Sequence, residues 1–269
     1  MDRREAILRE LNLYPLWKRR GTPTPAQHVA EPGAAIQPEA PVPVTATSAV
    51  REPESRSTAL EQPVKVETSH VPAVVPRSDV AGLDWAELKQ RVSKCTACKL
   101  RAGCTQTVFG VGDEHADWLF VGEGPGADED ALGEPFVGQA GKLLDNMLIA
   151  IKLKRGKNVY IANVVKCRPP GNRNPDAEEI AACLPYLQRQ IELIKPKLIV
   201  ALGKVASNAL LGRDATLASL RGKLHDYRGT PLIVTYHPAY LLRSPSEKAK
   251  AWHDLTMAMR TRNDASGSD

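Results

Sequence analysis

Aromatic residues make up only 5% of the 269 positions, and none falls between residues 21 and 80. That stretch also lacks cysteine, and it holds ten prolines among Ala, Val, Thr, Ser and Glu. Such a segment cannot bury enough apolar surface to offset the entropy of ordering. A disordered, partly extended tether is expected there. No apolar run approaches the ~20 residues of a membrane span. The N-terminus is charged and has no long apolar core, so no secretory leader is expected. These absences together point to a cytoplasmic chain with no membrane contact. Cysteine is scarce too, with five in all: Cys95, Cys98, Cys104, Cys167 and Cys183. In a reducing compartment, clustered thiols suggest metal rather than disulfides. Strong charge of one sign is also missing. Residues 1–80 carry ten basic and ten acidic residues, so the whole +5 excess lies in residues 81–269. That is a mild bias toward a polyanion partner.

What is present divides the chain into residues 1–20, 21–80, 81–262 and 263–269. In the first part, Ile7, Leu8 and Leu11 recur at helical spacing before Pro15, and Leu16-Trp17-Lys18-Arg19-Arg20 follows. A short amphipathic segment of this kind suits a partner's groove. Its Leu-x-x-Leu-x-Leu…Trp-x-Arg-Arg pattern resembles the N-terminal peptide of the psi subunit of the bacterial clamp loader. That resemblance implies a replisome partner similar to the chi subunit, reached through residues 3–20. The last part, residues 263–269, is expected to be a disordered tail.

Residues 81–262 alternate short apolar runs with helical patterns. Strands are expected at Trp118–Val121, Val159–Val165, Lys197–Leu202 and Pro231–Tyr236. Helices are expected near Leu83, with Asp84 as cap, and over Gln139–Lys152, Pro175–Ile194, Lys204–Leu211 and Pro245–Arg260. Continuous apolar strands between helices predict an α/β fold, a parallel sheet covered on both faces. Ligands of such sheets sit at the carboxyl ends of the strands. The chemistry-bearing motifs fall at those ends: Gly122–Gly126, Asn163, Gly203 and His237.

Three motifs carry the chemistry. Cys95-x2-Cys98 is a tight chelate, and Cys167-x15-Cys183 supplies two distant thiols. One tight pair with two separated ligands suits a bulky iron–sulfur cluster, and zinc remains an alternative. Cys104 could replace Cys183, which could instead be a small core residue on its helix. The loop Gly122-Glu123-Gly124-Pro125-Gly126 fits a loose dinucleotide fingerprint. However, Pro125 removes an amide that a pyrophosphate would need, so the loop better presents backbone amides and one carboxylate to a small planar ligand. In His237-Pro-Ala-Tyr-Leu-Leu-Arg243, Leu241 beside Arg243 reads either as a wedge for a distorted duplex or as a buried helical turn.

The order Cys95-x2-Cys98, Gly122-Glu-Gly-Pro-Gly126, Pro135-Phe-Val-Gly138, Asn163-x3-Cys167-Arg-Pro-Pro-Gly-Asn, Cys183 and His237-Pro-Ala resembles the family 4 uracil-DNA glycosylases, across about residues 83–260. The resemblance implies a three-layer α/β/α sandwich around four parallel strands. It implies a monofunctional, monomeric hydrolase acting on uracil in single- and double-stranded DNA, and a 4Fe–4S cluster on Cys95, Cys98, Cys167 and Cys183. Phe136 would stack on the extruded base and Asn163 would read its edge. The loop Gly122, Glu123, Gly124, Pro125 and Gly126 would meet O2, and Glu129 would crowd a thymine methyl. His237 and Glu123 would be catalytic. Gly203 and Lys204 would hold a phosphate, with Arg243 nearby, and Leu241 would fill the gap in the stack. Family 1 enzymes have Asp where this loop has Gly124 and an aromatic where it has Gly126. These departures leave two readings of how water is activated: by Glu123, the candidate, or by substrate-assisted departure with a loosely held water.

Overall fold

A computed structural model of the protein describes residues 80–266. The expected docking peptide, the tether before residue 80 and the last three residues lie outside the described residues.

Six strands form one sheet in the order β1-β3-β2-β4-β6-β5. The four expected strands are its centre: β2 (Trp118–Gly122), β3 (Val159–Asn163), β4 (Leu198–Leu202) and β6 (Thr230–Thr235). They pair in parallel, with Gly122 beside Asn163 and Leu202 beside Thr235. Two antiparallel edges, β1 (Val111–Gly112) and β5 (Leu224–Tyr227), complete it. The sheet is thus mixed and wider than the four-stranded one expected.

Every residue of β2, β3 and β4 is buried, because helices cover both faces. Alternate side chains enter separate cores. Leu119, Val121, Ala162, Ile199 and Val234 pack with α1 (Trp85–Ser93), α5 (Ala177–Ile194) and α6 (Lys204–Leu211). Phe120, Ile161, Val200 and Ile233 pack with α4 (Gln139–Ala150) and α9 (Lys248–Ser266). The result is the α/β/α sandwich, with the period-two alternation of the strands dividing the apolar surface between two layers.

Helix starts follow from capping chemistry. Asp84 and Glu87 form a reciprocal capping box at α1, and at α5 the Glu179 carboxylate accepts from the Asp176 amide, each satisfying amides left free at a helix start. Gly203, at φ 91°, opens α6 where the chain passes close to His237. The short helices α2 (Leu100–Gly103), α3 (Ala127–Leu132), α7 (Leu217–Leu220) and α8 (Pro238–Arg243) lie in the connections. The closing helix runs to Ser266, so residues 263–266 are helical where a disordered tail was expected.

Candidate active site and thiol cavity

At the carboxyl ends of β2, β3 and β6, a cleft of about 380 Å³ opens. The loop after β2 supplies Glu123, Gly124, Pro125 and Gly126. The end of β3 supplies Asn163, and the turn after β6 supplies His237. Phe136, Glu129 and Arg243 complete the set of expected residues on its walls. Gly122 lies behind them, outside the cleft lining. A Cβ there would run into Asn163 Oδ1 and the Phe136 ring.

Asn163 is 2% exposed, and its Oδ1 has no hydrogen-bond partner. A buried acceptor left unpaired is costly, so this atom is suited to a donor brought by a ligand. Phe136 stands beside it in the left-handed region, at φ 56°. Its ring lies 5.5 Å from that of His237, at 29° between planes. The His237 Nδ1 accepts from the Ala239 amide at 3.2 Å. Burial, reinforced by the Arg243 charge, lowers the His237 pKa to about 4. The imidazole is therefore neutral at physiological pH, and with Nδ1 accepting, its proton sits on Nε2. Burial alone raises the Glu123 pKa.

Glu129, on the cleft wall as expected, is fixed by main-chain amides. Its Oε1 accepts from Val137 N at 2.9 Å and Gly138 N at 3.0 Å, and its Oε2 accepts from Gly126 N at 3.0 Å. The carboxylate braces two walls of the cleft against each other. Leu241 is a correction. It is 1% exposed, buried as α8 turns inward, while Leu242 and Tyr240 are exposed at 44% and 38%. Helical spacing thus places the neighbours of Leu241, not Leu241 itself, at the surface. Gly203 and Lys204 lie outside the cleft lining at the start of α6, and the Lys204 ammonium pairs with Asp214 at 3.0 Å.

Four residues beyond Asn163, the chain enters a second, apolar cavity. Cys95, Cys98, Cys167 and Cys183 line it together with Val92, Leu100 and Tyr186. Sulfur acceptors are already served: Cys183 by Lys166 N at 3.2 Å, and Cys95 by Ala97 N at 3.5 Å and the Tyr186 hydroxyl at 3.2 Å. Burial is the first cause raising the pKa of Cys98, Cys167 and Cys183, so thiolates there require a bound cation. Among the described residues, no group of three His, Cys, Asp or Glu side chains could hold one metal ion. The only acidic or thiol ligands in the lining are the four cysteines, two of whose sulfurs already accept hydrogen bonds, a donor set of the kind an iron–sulfur cluster uses. Cys104 accepts from Arg101 Nη1 at 3.6 Å and lies outside the lining of the cavity.

Several site residues were missed in the sequence. Lys166 is 1% exposed, and its Nζ donates to the Asn163 carbonyl at 2.8 Å and to Gln190 Oε1 at 2.6 Å. It joins the cleft strand to the thiol cavity. Asn172, Arg173 and Asn174 also line the cleft, with Arg173 held by Glu179 at 2.7 and 2.9 Å. Polarity within an apolar run was the one clue to Lys166.

With this geometry in place, sequence comparison decides the family. The uracil DNA glycosylase superfamily matches residues 109–256. A type-4 uracil-DNA glycosylase of Thermotoga maritima is 46% identical over 165 residues, covering 61% of this chain and 85% of that protein. The chain belongs to the type-4 uracil-DNA glycosylase family. Its type-4 relative in Pyrobaculum aerophilum is 43% identical over 183 residues, 65% of this chain and 93% of the relative. That of Archaeoglobus fulgidus is 44% identical over 167 residues, 59% and 83% respectively. All three shares on the relatives' side exceed those on this chain, as expected when a family domain carries extra sequence beyond it.

Proposed function

We propose that this protein extrudes deoxyuridine from DNA and hydrolyses its N-glycosidic bond, releasing uracil and leaving an abasic site. The carrying observation is the unpaired Asn163 Oδ1 beside Phe136 and a neutral His237. Uracil offers N3–H to that oxygen and O4 to the amide N–H. Cytosine reverses both and leaves the buried amide mispaired, which rejects it strongly. The Phe136 ring stacks on the base. As the bond to the sugar breaks, negative charge grows on O2, and the Nε2–H of His237 with amides of the Glu123–Gly124 loop stabilises it. Donors fixed in advance at such a position are typically the largest catalytic contribution. Glu123, when ionised, orients water or stabilises the cationic sugar. Extrusion costs a few kcal/mol and is cheapest for mispaired or unpaired uracil.

Cys95, Cys98, Cys167 and Cys183 would hold a 4Fe–4S cluster, which when bound cross-links the segments around the cleft. Cys104 stays outside that set. Gly203, Lys204 and Arg243 would meet the DNA backbone, with the exposed Leu242 in place of Leu241 as the side chain nearest the stack. The test is uracil release from a labelled uracil-containing oligonucleotide, with alkali-labile breaks at the same positions. Absence of free uracil from both single- and double-stranded substrate would end this reading.

A further inference from the structure

Phe136 is bulky and left-handed, a backbone state that persists only where its surroundings impose it. Those surroundings are specific. Arg155, in the turn after α4, donates from Nη1 to the Pro135 carbonyl at 2.9 Å and from Nη2 to the Phe136 carbonyl at 2.8 Å. Its guanidinium is aimed by Asp145 on α4, through Nε at 3.0 Å and Nη2 at 2.9 Å. From the other side, Glu129 takes the amides of Val137 and Gly138. Four consecutive residues are thus held, two carbonyls by a cation and two amides by an anion. The Arg155 side chain is 23% exposed and lies outside the cleft lining, so it acts at a distance from any bound base.

We propose that Arg155, oriented by Asp145, is a positioning residue that fixes the Phe136 ring at stacking distance over the extruded base. The inference rests on the glycosylase reading above. A planar fork is required, because one group must reach two carbonyls and a carboxylate together, and an ammonium is a point charge that does not reproduce this. Misplacing a reacting group by about 1 Å can cost ~100-fold in rate.

The experiment uses full-length, cluster-containing protein and three measurements: kcat/KM for uracil release, inhibition by free uracil, and affinity for DNA carrying a stable abasic-site analogue. The last does not use Phe136, because no base is present. Arg155→Met should lower kcat/KM by ~10–100-fold and weaken free-uracil inhibition about tenfold, while abasic-DNA affinity and the visible absorption of the cluster stay within about twofold. Arg155→Lys should behave like Arg155→Met. In a Phe136→Ala background, Arg155→Met should add little further loss, the non-additivity of two residues acting as one. Asp145→Asn, which leaves the fork in place, should give a smaller loss of the same kind and serves if Arg155→Met does not fold. Unchanged uracil inhibition in a folded variant overturns the proposal. So does a parallel fall in abasic-DNA affinity, or full additivity with Phe136→Ala. Failure of the unsubstituted protein to release uracil would instead sink the glycosylase reading beneath it.

Discussion

Two titratable side chains in the cleft are shifted in opposite senses. Glu123 is raised by burial and binds its proton at a higher pH than an ordinary glutamate. His237 is lowered to about 4 by burial, so it stays neutral as pH falls from 8 to 5. If Glu123 must be ionised to act, as proposed, an acid limb of the rate is expected to follow its titration and not that of His237. In pH profiles of kcat/KM, Glu123→Gln should lower the rate and remove that limb. His237→Asn should lower the rate ~10²–10³-fold and leave the limb in place. His237 also affects stability. Its folded pKa lies below the unfolded value, so its contribution is complete above pH ~6.5 and is lost as pH falls toward 4. A urea midpoint declining over that window, and less so in His237→Asn, checks the sign. Asn163 and His237 were legible because each stands in a short motif at a strand end, whereas Phe136 entered only through the family resemblance. Arg155 and Lys166 were not. Arg155 reaches carbonyls 19 and 20 residues back along the chain and Lys166 reaches Gln190, 24 residues on, which spacing does not reveal.

At the scale of elements, α4 is fitted to the loop it follows. A Cβ on Gly141 would overlap the Phe136 carbonyl, the same oxygen that Arg155 grips. Gly141→Ala should destabilise the protein by about 1–3 kcal/mol through overpacking, seen in urea unfolding. It should also lower uracil release about tenfold by displacing the ring. The central strands and main helices were readable because β2, β3 and β4 are apolar throughout and the helices repeat at 3.6 residues. The edges were not. Val111–Gly112 is two residues long, and Leu-His-Asp-Tyr at 224–227 lacks an apolar run. Tertiary pairing alone makes them strands. Leu241 illustrates a related limit: sequence could not tell which of two adjacent leucines turns inward.

Across the whole molecule, two sites share one strand. β3 ends with Asn163 in the cleft and continues into Lys166 and Cys167 at the thiol cavity. The Lys166 ammonium on the Asn163 carbonyl ties them together. If the four thiols hold a cluster, its removal must loosen the cleft as well as the cavity. Oxidative stripping of iron should lower the melting temperature and open residues 95–107 and 164–176 to limited proteolysis, while uracil release falls in step. A stripped protein with an unchanged cleavage pattern and full activity would separate the two sites.

Behind the cleft, Gly122 has room for no side chain between Asn163 and Phe136. Main chain cannot be swapped one codon at a time. Selections for activity on bulkier lesions should therefore leave this glycine untouched and collect their changes in the walls around Ala140 and Tyr240. The depth of the cleft is inherited with the fold, and only its width is open to adaptation.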